Sequence, residues 1–201
     1  MWTDAVLAFL AWCGTAGAWL FVLVFLADGA TRAGYDQVRQ PVSALALGPR
    51  GRVQTANFLV CGLLITAGAF ALTPLLLTAA VGVFGLALVA SGLFPMDPMR
   101  GYPPGTPEGD LPEPSRSHVL HDKAGAVVFM SLPVAALVAS LTSEAPLWGW
   151  YSAVTCAATA VGAGAFGHAW EKDSPRAGLL QRATIVAGWA WLGLAFAGSR
   201  I

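Results

Sequence analysis

The chain has 201 residues, of which 56% are hydrophobic and only 11% charged, and its 11 Lys and Arg balance 11 Asp and Glu. Soluble domains carry about 25% charged residues, so this chain is too poor in charge to cover a globular surface, and lipid must be its solvent. With zero net charge and no basic arm or stripe there is no footprint for nucleic acid. The three cysteines, Cys13, Cys61 and Cys156, lie far apart in apolar runs and form neither CxxC nor a zinc spacing.

Crossing the hydrocarbon core takes about 20 apolar residues. Residues 5–27 hold no Asp, Glu, Lys or Arg and predict the first spanning helix. The N-terminal Met-Trp-Thr-Asp lacks the basic start of a secretory signal, so that helix is expected to be retained. Residues 53–96 form a second uncharged stretch, long enough for two helices. Pro74 divides it into about 53–72 and 75–94, because proline ends or kinks a helix. A proline- and glycine-rich loop follows from Phe94 to Ser117 and suggests an ordered cap, with a mobile linker as the alternative. Further helices are expected at about 124–143, 147–169 and 178–198, the first pair joined by a turn at Glu144-Ala145-Pro146. The expected fold is one all-α membrane domain, a bundle of six transmembrane helices. On the fifth helix Ala160, Gly164 and His168 recur every four residues, as on a close-packing face.

Ten of the Lys and Arg residues fall in or beside the loops 28–52, 97–123 and 170–177, and only Arg200 falls on the other side. Basic short loops stay on the cytoplasmic side, which predicts a multi-pass inner-membrane protein with both termini outside. Trp2, Trp148 and Trp150 then share the outer interface, as an aromatic belt would.

The same topology gathers polar groups at the cytoplasmic mouth. Tyr35, Asp36, Arg39 and Ser43 come from the first loop, Asp97 and Arg100 from the exit of the third helix, His118, His121 and Asp122 from the approach to the fourth, and His168 from the end of the fifth. Gln181 and Arg182 open the sixth helix. Polar groups near a membrane are costly and tend to be functional. In His118-Val-Leu-His121-Asp122 the imidazoles share a helical face, so both can reach one ion or substrate, with the carboxylate as orienter or third ligand. The plain alternative is a helix start whose Asp and His are solvated or cap backbone groups. Asp97 suits a general acid, a metal ligand, or an ion pair with Arg39 or Arg182. Arg182 suits a polar headgroup or a snorkelling position, and Ser43 a nucleophile or a local backbone bond.

Several of these segments also resemble a known family. Gly34-Tyr35-Asp36-Gln37-Val38-Arg39-Gln40-Pro41-Val42-Ser43-Ala44-Leu45-Ala46-Leu47-Gly48 resembles the first-loop signature of the bacterial membrane proteins grouped as domain of unknown function 998. Phe94-Pro95-Met96-Asp97-Pro98, Gly101 to Pro107, His118 to Asp122, and Gln181-Arg182 through Gly188-Trp189 resemble its later motifs, in order. Gln37 stands where a proline is expected. The resemblance implies a six-helix bundle and no established activity.

The function favoured by the residues is an intramembrane enzyme acting on a lipid-like or isoprenoid-like, hydrophobic small-molecule substrate drawn from the membrane. Asp97, His118, His121 and Asp122 would carry acid–base chemistry, or metal-assisted chemistry with a divalent ion such as zinc on His118, His121 and Asp97. Asp36, Arg39, Ser43, Gln181 and Arg182 would hold the polar head, and the proline-rich loop would close over it. The alternatives are a small-solute or ion transporter and a structural or assembly protein.

Overall fold

The computed structural model describes residues 2–199. It consists of α1 (Trp2–Thr31), a short 3-10 helix (Val42–Ala46), α2 (Gly51–Ala69), α3 (Leu75–Leu93), α4 (Arg116–Thr142), α5 (Pro146–Glu171) and α6 (Ala177–Gly198), with no strand among the described residues. Arg200 and the side chain of Trp2, used above to mark the second interface, lie outside the described residues.

Six helices is the solution that an apolar solvent allows, because each helix satisfies its backbone N–H and C=O groups internally. Connectors of a few residues after α2, α4 and α5, such as 143–145 between α4 and α5, force those helices and the ones that follow them to run antiparallel and side by side. Each helix packs on the next, and α6 returns against α1, so the six close into a ring. Four of them, α1, α3, α4 and α6, are long and apolar enough to cross a membrane on their own composition. The outward faces of α2 and α5 are apolar as well, with Val60, Leu63, Val154 and Val161 exposed. Large apolar side chains turned outward on every helix need lipid around them.

Inside the ring, Trp189 of α6 stacks on Phe21 of α1 with centroids 5.2 Å apart and meets Phe84 of α3 edge-on at 4.8 Å. Small residues bring backbones together: a Cβ on Gly62 of α2 would come 2.8 Å from the Gly85 carbonyl oxygen of α3. Polar groups tie neighbouring helices, with Asn57 Nδ2 donating to Phe21 O at 3.1 Å and Trp191 Nε1 to Ser152 Oγ at 2.9 Å.

Two helix limits differ from the sequence expectation by four residues or more, for one reason. Charge ends a span when sequence alone is read, whereas the fold neutralises it. α1 continues to Thr31, because Asp28 is buried between Arg32 and Arg50 at 2.5 and 2.6 Å. α4 starts at Arg116 rather than near 124, because Ser115 caps it: Ser115 Oγ accepts from the His118 amide at 3.2 Å. His118, His121 and Asp122 therefore lie on the first turns of a helix, not in a loop before it. The segments 32–50, 94–115 and 172–176 interlock at one end of the ring, and they shape the candidate site.

Candidate functional site in the cleft between α4 and α5

The first loop is clamped onto the start of α6. The amides of Gly178 and Leu179 donate to the carbonyls of Arg39 and Val38 at 3.1 and 2.9 Å. Arg182 Nη1 donates to the carbonyls of Gln37, Gln40 and Gly178 at 2.6, 2.8 and 3.0 Å, and Nη2 bonds the Tyr35 hydroxyl. Four consecutive carbonyls, 37 to 40, thus converge on one helix start, whose amides lack partners within the helix. The chain must come close for this: a Cβ on Gly178 would sit 2.8 Å from the Gln37 oxygen. Gln181 Oε1 accepts from the Val42 amide at 2.6 Å and fixes the 3-10 helix that carries Ser43. Asp36 closes a local turn by accepting from Val38 N at 2.8 Å. Tyr35 donates its hydroxyl to Pro41 O at 2.8 Å. Burial pushes its pKa up to about 12, against the pull of the Arg182 charge.

The proline-rich loop is an ordered cap. Its anchor is Arg100, in a left-handed backbone conformation with φ 51°. The guanidinium lies 4.0 Å over the Trp170 ring, donates to Trp170 O at 2.6 Å, and pairs with Asp110 at 2.5 Å. Arg39 bridges the first loop to Glu108 and Asp173 at 3.1 and 3.6 Å, so three loops meet at one half-exposed cation.

Asp97 pairs with neither Arg39 nor Arg182. It ties the exit of α3 to the start of α4, accepting from Ser115 N and Ser115 Oγ, each at 2.7 Å. These bonds, the Ser115 amide first, hold its carboxyl below the usual carboxylate range despite some burial. His118 Nδ1 accepts the Asp97 amide at 3.1 Å, so its proton sits on Nε2, which faces Asp122 Oδ2 at 3.5 Å. His121 has the opposite tautomer. Its Nδ1 lies 2.8 Å from Phe94 O and 3.1 Å from Ser91 O at the end of α3. Two carbonyls can only accept, so Nδ1 carries the proton and Nε2 keeps its lone pair. No hydrogen-bond partner meets that Nε2 among the described residues.

His121 opens onto the main cavity of the site, a cleft of about 630 Å³ between α4 and α5. Its polar end is formed by His121, Asp122, Ser43 and Gln181, and its walls by apolar side chains such as Phe129, Phe166 and Trp170. It descends along α4 to Pro133 and Val134, about 20 Å at 1.5 Å per residue. The room comes from small residues on both helices: Gly125, Ala126, Ala160, Ala163, Gly164 and Gly167. A Cβ built on Gly125, Gly164 or Gly167 would meet nothing within 4 Å. The small stripe on α5 therefore lines a void instead of a helix contact. The close approach to α6 is made one residue round, at Gly162 against Thr184. His168 is exposed at the end of α5 and does not line the cleft.

The sequence-selected residues thus fall into two sets. His121, Asp122, Ser43 and Gln181 line the cleft, whereas Asp36, Arg39, Asp97, His118 and Arg182 do not. Among the described residues no three His, Cys, Asp or Glu side chains come together to hold a metal ion, so the zinc set of His118, His121 and Asp97 does not form and no step is routed through it. The sequence assigned no role at the site to Asp28, Arg32 and Trp170. Asp28 and Arg32 form a buried ion pair at the end of α1, and Trp170 forms the cleft wall that carries Arg100. Only the apolar run around Trp170 and the lone acid at the end of α1 hint at them.

The shared architecture has a family behind it. A family described as protein of unknown function (DUF998) matches residues 15–198. The chain belongs to that family. The resemblance seen in the loop motifs therefore holds across nearly the whole bundle, and those motifs lie at the loop locks: the 34–48 segment, the stretches on either side of the Arg100 anchor, and Gln181-Arg182. No curated protein and no solved structure matches the chain.

Proposed function

We propose that this DUF998 protein is an intramembrane enzyme that takes a lipid-like molecule into the cleft between α4 and α5 and acts on its polar head by proton transfer at His121. The observation that carries this reading is the His121 imidazole, with its tautomer fixed by two backbone carbonyls and its free lone pair at the polar end of an apolar cleft. A neutral imidazole held in one orientation is suited to accept a proton from a hydroxyl or a water. The cleft volume lies in the range of about 300–1,000 Å³ usual for small-molecule sites. An acyl or prenyl chain along its walls gains about 0.8 kcal/mol per buried CH₂ when drawn from water, and lateral access spares it that passage. Ser43 and Gln181 orient the head. Asp97, His118 and Arg182 act by holding the loops.

In this reading the loops 28–52, 97–123 and 170–177 face the cytoplasm across an inner membrane, and both termini lie outside, as the ten basic residues at that end favour. Transport is less well supported, since the cleft ends at Pro133 and Val134. The hydroxyls of Ser131, Thr155 and Thr159, deeper in α4 and α5, are spent on their own helices.

His121→Asn tests the reading, because an Asn amide can still donate to the α3 carbonyls but has no basic nitrogen. Membranes from cells carrying no copy, the wild-type copy or the His121→Asn copy are compared by lipid mass spectrometry, beside lipids that co-purify with each protein. The expected result is a lipid species converted by the wild type alone, with the variant folded and its bound lipid retained. Identical lipid profiles from all three, with no lipid enriched on the purified protein, would refute it.

A further inference from the structure

The charges around the cleft specify its ligand further. This inference rests on the cleft being the ligand site, as proposed above. Three buried guanidinium groups lie within the loop end, and each is committed elsewhere. Arg182 is spent on the carbonyls of Gln37, Gln40 and Gly178. Arg100 is spent on Trp170 O and Asp110. Arg32 is spent on Asp28 and the carbonyls of Leu47 and Arg50. Among the described residues no Lys or Arg lines the cleft, and its one charged lining group is the Asp122 carboxylate. Beside it stand the His121 lone pair and the hydroxyl of Ser43, both able to accept.

A phosphate head placed there would meet a carboxylate and a lone pair with no cation to offset them. A protonated amine would find acceptors on two sides and a compensating charge, at a mouth where the apolar walls reduce screening. We infer that the α4–α5 cleft selects an amphiphile with an apolar tail and a cationic amine head, with Asp122 as the charge partner and His121 and Ser43 as further acceptors. Asp122 is suited to this because its carboxylate is mostly exposed and shares only a 3.5 Å approach with His118 Nε2. Covering it with a ligand head removes water from a charge whose partner arrives at the same time.

The test uses the full chain in phosphatidylcholine nanodiscs at neutral pH, with dodecylamine, dodecanol and dodecyl phosphate as probes and bound probe counted by native mass spectrometry. Wild type is expected to bind the amine about tenfold more tightly than the other two, the scale of one charge-assisted hydrogen bond. Asp122→Asn should erase that preference while leaving the melting temperature and the binding of dodecanol unchanged. Gly164→Trp should block all three probes by filling the cleft, and Ala160→Trp serves if the first variant does not fold. Equal or tighter binding of dodecyl phosphate or dodecanol, still blocked by the tryptophan, would overturn the amine inference and leave the cleft in place. Persistence of the amine preference in Asp122→Asn would overturn it as well. Binding that neither tryptophan variant affects would overturn the cleft as the ligand site, and the amine inference with it.

Discussion

Replacing Arg182 with Ala separates a structural guanidinium from a headgroup binder. Arg182 is buried, and its Nη1 serves the carbonyls of Gln37 and Gln40 at 2.6 and 2.8 Å, with only a long 3.4 Å contact from the Tyr35 hydroxyl to Gln40 beside it. Each hydrogen bond from a charged donor contributes about 1.5–3 kcal/mol, so removing two costs about 3–6 kcal/mol. The carbonyl of Gly178 adds little, because it belongs to the α6 ladder. Domain stabilities are about 5–15 kcal/mol, so the loss is a large fraction of the whole. A chain of this size shifts by about 2–4 °C per kcal/mol, which predicts a fall of at least about 6 °C in melting temperature. Thermal unfolding of the detergent-purified protein, followed by tryptophan fluorescence, measures it. Limited proteolysis should show new cleavage within 35–41. Arg182→Lys should recover part of the loss, since an ammonium supplies one point charge and cannot fork to the loop and Tyr35 together. A variant that melts within about 2 °C of wild type yet loses bound lipid would refute the argument, because this is below the scale of a single charged bond.

Acid should loosen the junction of α3 and α4. The Asp97 carboxyl is held below its usual range by Ser115, so its contribution is present at neutral pH and is lost as pH falls below about 4; Asp97→Asn should flatten the acid limb of a melting-temperature profile. Tyr35 acts at the other extreme. Its pKa is raised to about 12, so the protonated form favours the fold, and the contribution is full below pH 10 and lost between there and about 12. At about 1.4 kcal/mol per unit this amounts to roughly 3 kcal/mol, and Tyr35→Phe should remove that alkaline loss. Glycine positions should divide by what faces them: Gly62→Val drives a side chain into the α3 backbone and should cost about 1–3 kcal/mol, whereas Gly164→Ala meets open space and should melt as wild type does. Arg100→Ala should free the proline-rich loop, read as protease cleavage between 101 and 113 in a bundle that still melts cooperatively.

The parts of the molecule legible in the sequence are those set by the solvent. Long apolar runs have one outcome in lipid, so the six helices and their order follow from composition, and the limits of α3, α5 and α6 fall within a residue or two of the hydropathy breaks. The clustering of ionisable residues at one end is legible too, because loops alternate sides when connectors are short. The fate of each charge depends on partners far away in sequence. Arg182 looks identical as a headgroup ligand and as a lock for residues 37–40, and only the close approach at Gly178 decides between them. His118 and His121 share a helical spacing, yet the Asp97 amide accepted by one and the α3 carbonyls bonded by the other give them opposite tautomers. The cleft itself was least visible. A stripe of Ala and Gly reads equally as a contact face or as a void, and the sequence, which fixes the size of each side chain, leaves open how near the next helix comes. Only the tertiary packing of α4 against α5 turned that stripe into a cavity and placed His121 at its mouth.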